Sequence, residues 1–421
     1  MKNPWGQLRG LPRPVWVLFG AILINRAGTM VLPFLVLYLT RSLGLSPGRA
    51  ALSLTVYGLG AIVTAPLSGR LADRVGPRRI ITVCLILSGL LLLVFPLLRS
   101  FPAILLMTLL WSIPNEALRP ASMAWMSDLV PPDRRRAAFA LTRLAVNLGM
   151  SLGPAVGGFV VRVSFSAIFI LDALTSLAAG ALLILATRDP APESSPPAAA
   201  RGVSGGASSG AVRATADAGA PMTGRTPRGL ADRRYLYFLL ALMPIELVFF
   251  QDQSTLPLFL VRDLGLPEST YGLMFTINTL LITLIEVPLI AATSEWSYRR
   301  MLILGTLLTG CGFGALGLVQ GWRGVAALVV VWTFGEMVLL PGSAAYASEA
   351  APPGRRGEYL GLYSMSFSIA FAAGPWLGTR LMEGIGGRPI WIAALACGLL
   401  SALLFLRLRP PRPEQNAAPA V

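Results

Sequence analysis

Residues 148–158 read LGMSLGPAVGG and contain the spacing G-x-S-x-G, from Gly149 to Gly153. This spacing can present a serine as a nucleophile on a strand-to-helix turn, with a histidine as its general base. The 421-residue chain has no histidine, so Ser151 lacks that base. A second match, around Ser204, falls in a stretch rich in Gly, Ser and Ala. We therefore expect no hydrolase chemistry at either serine and no enzyme activity.

Two further classes of site are excluded by composition. Only Lys2 among the 35 basic residues is a lysine, so a phosphate loop with its own lysine, and direct ATP coupling, are not expected. The 3 cysteines, Cys84, Cys311 and Cys397, are isolated in apolar segments and form no metal or disulfide pattern. We expect neither a metal nor a cofactor.

The remaining candidates are ionisable residues inside apolar runs, where each charge costs about 2.5–3.5 kcal/mol on insertion scales. Without histidine, a proton carrier has to be a carboxylate, whose charged form burial disfavours. Glu116 is the first choice and Glu336 the second, while Asp252 and Glu286 lie nearer run ends and rank lower. The full set of proton-coupling candidates is Glu116, Glu336, Glu246 and Asp172.

Two arginines, Arg119 and Arg143, also lie inside apolar runs. Glu116 and Arg119 are three residues apart and can pair on one helical face, either as a structural ion pair or in transport. Arg143 lies a few residues from the end of its run, so we expect its side chain to reach the membrane interface.

Apolar runs long enough to cross a membrane must position these residues. The chain is 54% hydrophobic and 13% charged. A hydrocarbon core of about 30 Å needs about 20 apolar residues per helix. Twelve runs, called spans 1 to 12, meet this length, so we predict an all-α integral membrane protein. They lie at approximately 15–39, 50–70, 80–98, 102–127, 138–161, 165–187, 235–260, 270–292, 301–319, 323–348, 358–381 and 389–407.

The basic residues indicate an orientation. They cluster in GRLADRVGPRR, PPDRRR, SYRR and PPGRR, which all lie in gaps on one side of the predicted bundle. Such residues collect on the cytoplasmic side and contact the inner leaflet. We therefore expect a multi-pass protein of the cell (inner or plasma) membrane with both termini cytoplasmic, in contact with lipid and not with nucleic acid.

The chain also repeats itself. Trp332 lies 221 residues after Trp111, and the same offset relates further Pro, Gly and Arg residues. A parallel duplication of a six-helix unit allows two bundles to rock about a central site. We predict pseudo-symmetric six-helix bundles at 1–188 and 235–410, a disordered cytoplasmic linker at 189–234 that is rich in Pro, Gly, Ser and Ala, and a tail at 411–421.

Apart from its ends and linker, the chain resembles a twelve-helix transporter of the major facilitator superfamily, of the drug:proton antiporter (multidrug efflux) type. Between spans 2 and 3, GRLADRVGPRR is similar to the family's loop signature, with Pro77 where an arginine is usual. The resemblance implies a latch that holds the halves in the outward-facing state, whereas the alternative is a solvated turn. The latch residues are Gly69, Asp73, Arg74, Gly76, Arg78 and Arg79.

Asp73 lies at the C-terminal end of span 2, where the helix dipole disfavours a carboxylate. It needs a partner, which Arg74, Arg78, Arg79 or the N-terminus of span 11 could supply.

LGMSLGPAVGG, in span 5, is similar to the signature G-x-x-x-G-P-x-x-G-G of the family's proton-driven exporters. Glycines every four residues make a smooth stripe for close packing, and a proline bends the helix. By resemblance the signature indicates export, whereas a packing seam with no bearing on direction is the alternative. Its residues are Gly149, Gly153, Pro154, Gly157 and Gly158.

In this family spans 1, 4, 7 and 10 line a central cavity, and the mid-run charges fall on these four spans. The offset of 221 matches Glu246 to Asn25 and Glu336 to Asn115. Many family drug exporters have an acidic residue in span 1, where this chain has Asn25-Arg26. The cavity or substrate candidates are Asn25, Arg26, Asn115, Glu116, Arg119, Glu246 and Glu336.

The hypothesis is a secondary active transporter, a proton-coupled exporter of a small organic molecule or drug, which works by alternating access. Its expected partners are the substrate and protons, and it is expected to function as a monomer. Two alternatives are a facilitator or importer of a metabolite such as a sugar, and a non-transporting sensor or scaffold. The central glutamates suit a cationic amphiphile, whereas Arg26 and Arg119 suit an anion.

Overall fold

The computed structural model describes residues 11–131, 135–187, 231–293, 295–352 and 355–409, and these ranges contain helices and connections but no strand. Most of the predicted linker and the whole predicted tail lie outside them. Eight spans are single helices: Pro47–Val75 (span 2), Phe101–Leu129 (span 4), Arg135–Val160 (span 5), Phe165–Ala186 (span 6), Glu268–Ala292 (span 8), Trp322–Ala350 (span 10), Arg356–Ile385 (span 11) and Pro389–Leu406 (span 12). Spans 3 and 9 are the helices Pro77–Val94 and Tyr298–Gly314, which continue into the short 3-10 segments Phe95–Leu97 and Ala315–Leu318.

The predicted all-α membrane fold is confirmed. Within the described residues, 9 helical spans are long and apolar enough to cross a membrane. The other spans, 2, 5 and 8, are helices of 29, 26 and 25 residues. Each half therefore contributes six spans, and the chain ends of both halves lie at one end of the bundle. We call this end the terminal face, and the opposite end, with loops 42–46, 264–267 and 386–388, the distal face.

Span 1 is broken in the middle of the membrane region. It consists of the helices Arg13–Ala27 and Val31–Arg41, separated by residues 28–30. Asp172, on span 6, accepts hydrogen bonds from the backbone N–H groups of Met30 and Val31, both at 3.1 Å. Because the first N–H groups of a helix have no partner within it, this buried carboxylate caps the second helix.

Span 7 is also irregular, at the equivalent level of the second half. The helix Arg233–Phe249 gives way to the 3-10 segment Phe250–Gln253, the short helix Thr255–Leu258 and the π-helical turn Phe259–Asp263. The Gln251 amide donates to the carbonyl oxygen of Gly374, on span 11, at 2.9 Å. Span 7 therefore departs from a straight helix at the position that the offset of 221 matches to the break in span 1.

Glycines of span 5 lie directly against span 1. A Cβ atom built on Gly149 would lie 2.8 Å from the backbone nitrogen of Ala27, and one built on Gly153 would lie 2.8 Å from the Thr29 carbonyl oxygen. These separations are too short for a real side chain, so the two backbones approach this closely because the residues are glycine. Gly157 lies against the side chains of Met30 and Phe34, whereas Gly158 lies against the backbone of Ser269 of span 8.

Close contacts join the two halves near the distal face. Arg41 and Glu268 form an ion pair at 2.9 Å, and the backbone N–H of Gly48 donates to Glu383 at 2.9 Å. The Thr55 hydroxyl donates to the Ala372 carbonyl oxygen at 2.6 Å, deeper in the bundle. Spans 1, 2, 8 and 11 therefore seal this end in the conformation that the structure shows.

An ion pair also joins the halves toward the terminal face. Arg143 on span 5 bonds Glu286 on span 8. That Arg143 reaches the membrane interface stays a prediction, and the structure adds an acidic partner for it on the facing span. The Arg143 side chain is 59% exposed and that of Glu286 is 11% exposed.

We predict that Gly153→Ala lowers the free energy of unfolding by about 1–3 kcal/mol, because the new methyl group meets the Thr29 carbonyl oxygen. Thermal unfolding in detergent measures the effect. Gly361→Ala, in span 11, is the matched control, because nothing lies within 4 Å of its Cβ position. Equal melting temperatures for the two variants would contradict the packing described for span 5.

Reversing one charge of the inter-half pair, as in Arg143→Glu, should place two carboxylates together at the interface of spans 5 and 8. Because solvent screens the exposed Arg143 side chain, we expect a loss on the order of 1 kcal/mol rather than the full cost of a buried charge. The double reversal Arg143→Glu with Glu286→Arg should restore the melting temperature. A double variant no more stable than the single one would show that the ion pair does not join the halves.

Candidate functional site

Two adjoining cavities lie within the C-terminal half. The first is bordered by spans 7, 8, 9 and 10, and the second by spans 7, 9, 10 and 11. Phe249 and Glu336 line both, so one wall is shared. Three carboxylates border this space: Asp252 in the first cavity, Glu246 in the second and Glu336 in both. Two of the predicted site residues, Glu246 and Glu336, are thus brought together.

Glu336 is held in place from span 8. The Asn278 amide donates to Glu336 Oε2 at 2.9 Å and to the Thr333 hydroxyl at 3.0 Å. These bonds fix the carboxylate on the cavity wall with a neutral partner. Because the Asn278 amide is neutral, it does not balance a negative charge on Glu336.

Glu246 is 2% exposed, although it is an acidic residue. Its Oε1 accepts a hydrogen bond from the Ser366 hydroxyl at 3.0 Å, on span 11. Its Oε2 is buried and has no hydrogen-bond partner in the described part of the chain. Only one of its two oxygens is therefore satisfied by the protein.

Asp252 lies in the 3-10 segment of span 7. The Tyr271 hydroxyl donates to its backbone carbonyl oxygen at 2.8 Å, which fixes this turn against span 8. The side-chain Oδ1 is buried, and among the described residues it has no hydrogen-bond partner. From the sequence Asp252 is a weaker candidate, because it lies nearer the end of its apolar run. The irregular span places it on the same cavity wall as Glu336.

The N-terminal half has a related polar group. The Tyr57 hydroxyl donates to Glu116 Oε1 at 2.7 Å, and the Asn115 amide bonds the same hydroxyl. Tyr57 precedes Asn278 by 221 residues, and Asn115 precedes Glu336 by 221 residues. In the first half a polar side chain of span 2 thus contacts span 4, and in the second half one of span 8 contacts span 10 at the equivalent positions. Neither Tyr57 nor Asn278 is among the residues predicted from the sequence, although the repeat offset relates them.

The ion pair that helical spacing allows between Glu116 and Arg119 is not formed. Glu116 turns toward Tyr57 on span 2, while Arg119 is exposed and makes no ion pair with any described residue. Glu116 therefore accepts a hydrogen bond from a neighbouring span and does not pair with Arg119 on its own helix. Neither residue lines the two cavities.

The span 1 candidates lie apart from these cavities. The Asn25 amide donates to the Ser176 hydroxyl of span 6 at 3.1 Å. Arg26 lies within electrostatic range of Asp172 and Tyr57. Asp172 caps the second helix of span 1, which gives its carboxylate a structural use, and a proton-coupling role for it stays a prediction.

The proposed latch is only partly within the described structure. Gly76 has φ +95°, a backbone conformation that favours glycine, and it joins spans 2 and 3. Arg78 donates from Nε to the Thr187 hydroxyl at 2.7 Å, at the end of span 6. Arg74 and Arg79 are exposed. The surroundings of Gly69 and the side chain of Asp73 lie outside what the structure describes, so the partner of Asp73 stays a prediction.

Comparison with known proteins agrees with this architecture. The chain is 26% identical over 397 residues to the uncharacterized MFS-type transporter YqjV of Bacillus subtilis (strain 168), covering 93% of this chain and 92% of that protein. It is 24% identical over 383 residues to a Na(+), Li(+), K(+)/H(+) antiporter of Planococcus maritimus, covering 85% and 87%. The quinolone resistance protein NorA of Staphylococcus aureus (strain N315) matches 179 residues at 26% identity, 42% of this chain and 46% of NorA.

The fold is shared with solved transporters. A crystal structure of the nucleoside transporter NupG superposes with a TM-score of 0.77, covering 94% of this chain and 100% of that one at 11% sequence identity. The sequence profile of the Major Facilitator Superfamily matches residues 17–258 and 245–420. With two six-span halves, the second of which encloses two adjoining cavities bordered by carboxylates, this chain is a multi-pass membrane transporter that belongs to the Major Facilitator Superfamily.

Proposed function

We propose that this transporter is a proton-coupled exporter of small organic molecules that works by alternating access in the cell membrane, with both termini on the cytoplasmic side. The observation that carries the proposal is the group of three carboxylates around one space: Glu246, Asp252 and Glu336. Neither lysine nor arginine is among the described residues that line either cavity.

An ionised carboxylate in such a place is unfavourable, because burial removes its water and no basic side chain replaces it. The side chain is stable there once it has bound a proton and become neutral, or once a bound cation faces its charge. Protonation and substrate binding then compete for the same group, which is the requirement for antiport. The proton gradient supplies about 1.4 kcal/mol per pH unit to drive the exchange.

Among the candidates, Glu336 has the strongest structural support. It lines both cavities and is oriented by Asn278. Glu116, the first choice from sequence, is occupied by a hydrogen bond to Tyr57 and lies outside the cavities. We therefore propose Glu336 as the principal proton carrier.

Export is supported by the span 5 signature and by two relatives. NorA is by its name a resistance protein and the Planococcus maritimus relative is a cation/proton antiporter, so both names are consistent with outward transport. The arginine-rich loops of the terminal face favour a cytoplasmic position for the chain ends. The distal seal formed by Arg41 and Glu268 would then close the outer side.

A second candidate is exchange of a monovalent metal cation for protons. The Planococcus maritimus relative favours it, since it covers 85% of this chain. The carboxylate group would serve either cargo, and the same vesicle assay separates them.

Everted vesicles from cells that express the transporter test the proposal. With the vesicle interior acidified, a transported compound should dissipate the pH gradient, which a fluorescent dye reports. Glu336→Gln keeps the size of the side chain but removes its charge and its titration, so we expect dissipation to be abolished. Addition of Na⁺, Li⁺ or K⁺ in place of organic compounds tests the second candidate.

Glu349→Gln provides the matched control, because Glu349 is exposed at the terminal end of the same span. It should behave like the wild type. If Glu336→Gln and the wild type dissipate the gradient at equal rates, Glu336 does not carry the proton. If no compound or ion in a broad panel dissipates it, the proposed antiport is wrong.

A further inference from the structure

Asp172, on span 6, is a buried carboxylate that lines neither cavity. Its Oδ2 accepts hydrogen bonds from the backbone N–H groups of Met30 and Val31, both at 3.1 Å. These donors begin the second helix of span 1, Val31–Arg41, and both residues are buried away from water. Because an unpaired N–H group inside a membrane is strongly unfavourable, the carboxylate removes a penalty that the break in span 1 would otherwise leave.

One face of span 6 contacts span 1 on both sides of this break. Asp172, Thr175 and Ser176 lie three and four residues apart, so they share a face of the helix. Before the break, the Asn25 amide donates to the Ser176 hydroxyl at 3.1 Å. Within it, a Cβ atom built on Gly28 would collide with the Thr175 hydroxyl. Span 6 therefore determines where the break lies.

The two helices of span 1 belong to different hydrophobic clusters. Val15 and Leu18, of the first helix, pack in a cluster whose described members all come from the N-terminal half. The second helix packs in a larger cluster that contains residues of both halves. Its Phe34 meets Tyr271 of span 8 edge to face, with ring centroids 5.2 Å apart. The break thus separates a helix that packs within its own half from one that also contacts the other half.

The second helix connects the break to the distal seal. It has 11 residues, so it is about 16 Å long by the rise of an α-helix. Asp172 bonds its first turn, and Arg41 in its last turn forms the ion pair with Glu268 at 2.9 Å. A helix of this length moves as one body, so its orientation at the break determines where Arg41 lies.

The charge of Asp172 is compensated, in contrast to the cavity carboxylates. Arg26, near the end of the first helix, lies within electrostatic range of Asp172. The two N–H donors and this guanidinium favour an ionised carboxylate and offset part of the cost of its burial. Glu336 has a neutral amide as its partner, and Asp252 Oδ1 has no partner in the described structure. Asp172 is therefore suited to hold a constant charge.

The second half holds its irregular span in another way. The offset of 221 matches Asp172 to Ala393 of span 12, which has no carboxylate. There Gln251, which the offset matches to Met30, donates from span 7 itself to the carbonyl oxygen of Gly374 at 2.9 Å. The cap from span 6 is thus a property of the N-terminal half and does not follow from the repeat.

We propose that Asp172 is a positioning residue for transport. As a fixed cap it orients the second helix of span 1, and through this helix it holds Arg41 at the distal seal. In this role Asp172 does not carry the transported proton. The inference goes beyond the proposed function and is independent of the coupling ion and the substrate, because it concerns only how the distal end of the N-terminal half is closed.

Two substitutions separate a cap from a proton carrier. Asp172→Asn cannot titrate but keeps an oxygen that accepts the N–H bonds, because Asn and Asp cap helices about equally well. Asp172→Leu has a similar size and no acceptor. In the vesicle assay we expect wild-type dissipation with Asp172→Asn and loss of dissipation with Asp172→Leu. A loss with Asp172→Asn equal to that with Glu336→Gln would overturn the proposal.

Spin-label distances test the position of the helix directly. In full-length protein with its 3 native cysteines replaced by serine, Ser42→Cys labels the end of span 1 and Ser164→Cys the start of span 6. Rocking of the halves does not change this distance. We expect a narrow distribution in the wild type and Asp172→Asn, and one broadened by about 5 Å, one helical turn, in Asp172→Leu. An unchanged distribution in Asp172→Leu would overturn the proposal, and this result needs no transport, so it holds even if the antiport fails.

Ser100→Cys with Ser164→Cys is the matched control pair, because Ser100 precedes span 4 and neither label lies on span 1. Its distance should be the same in all variants. If Asp172→Leu changes it, that variant has lost the fold of its half, and the transport result with Asp172→Asn decides. Ser42→Cys with Arg388→Cys, on the distal face of the other half, reports the seal. This distance should lengthen in Asp172→Leu, and an unchanged value would refute the link to the seal.

Discussion

The desolvation of carboxylates is the constraint on which this transporter depends. Glu246, Asp252 and Glu336 border one space inside the C-terminal half, and no basic side chain of the described structure lines that space with them. Two of their oxygens are buried without a hydrogen-bond partner among the described residues. Such groups are stable when neutral or when a cation is bound, and in the proposed antiport this alternative couples the proton gradient to the cargo.

An irregular helix holds one of these carboxylates at the cavity, and the other half has an irregular helix at the equivalent level. Span 7 is irregular where Asp252 faces the cavity, and Gln251 of the same segment bonds the backbone of span 11. Span 1 is broken at the equivalent level, where Asp172 caps its second helix and the glycines of span 5 approach its backbone. The glycines of span 5 let the continuous helix lie against the broken span 1, and Gly374 and Gly378 of span 11 likewise lie against span 7. Such packing suits bodies that rock against each other.

The twelve spans, the duplication and two of the cavity carboxylates could be predicted because hydropathy, repeat spacing and the cost of membrane charges all act along the sequence. The prominence of Asp252, the bond between Glu116 and Tyr57, and the Arg143–Glu286 pair could not. The first depends on a local change of helix type. The Glu116–Tyr57 bond and the Arg143–Glu286 pair depend on which spans face each other. In each of them the partner lies on a neighbouring span and not one turn along the same helix.

The most direct measurement is the release of protons when an organic cation binds the purified protein in weakly buffered detergent solution at neutral pH. If cation and proton compete for the cavity carboxylates, saturating tetraphenylphosphonium should release protons in proportion to the protein, and Glu336→Gln should reduce that release. Saturable binding with no proton release would contradict the account, because cation and proton would then occupy the transporter independently.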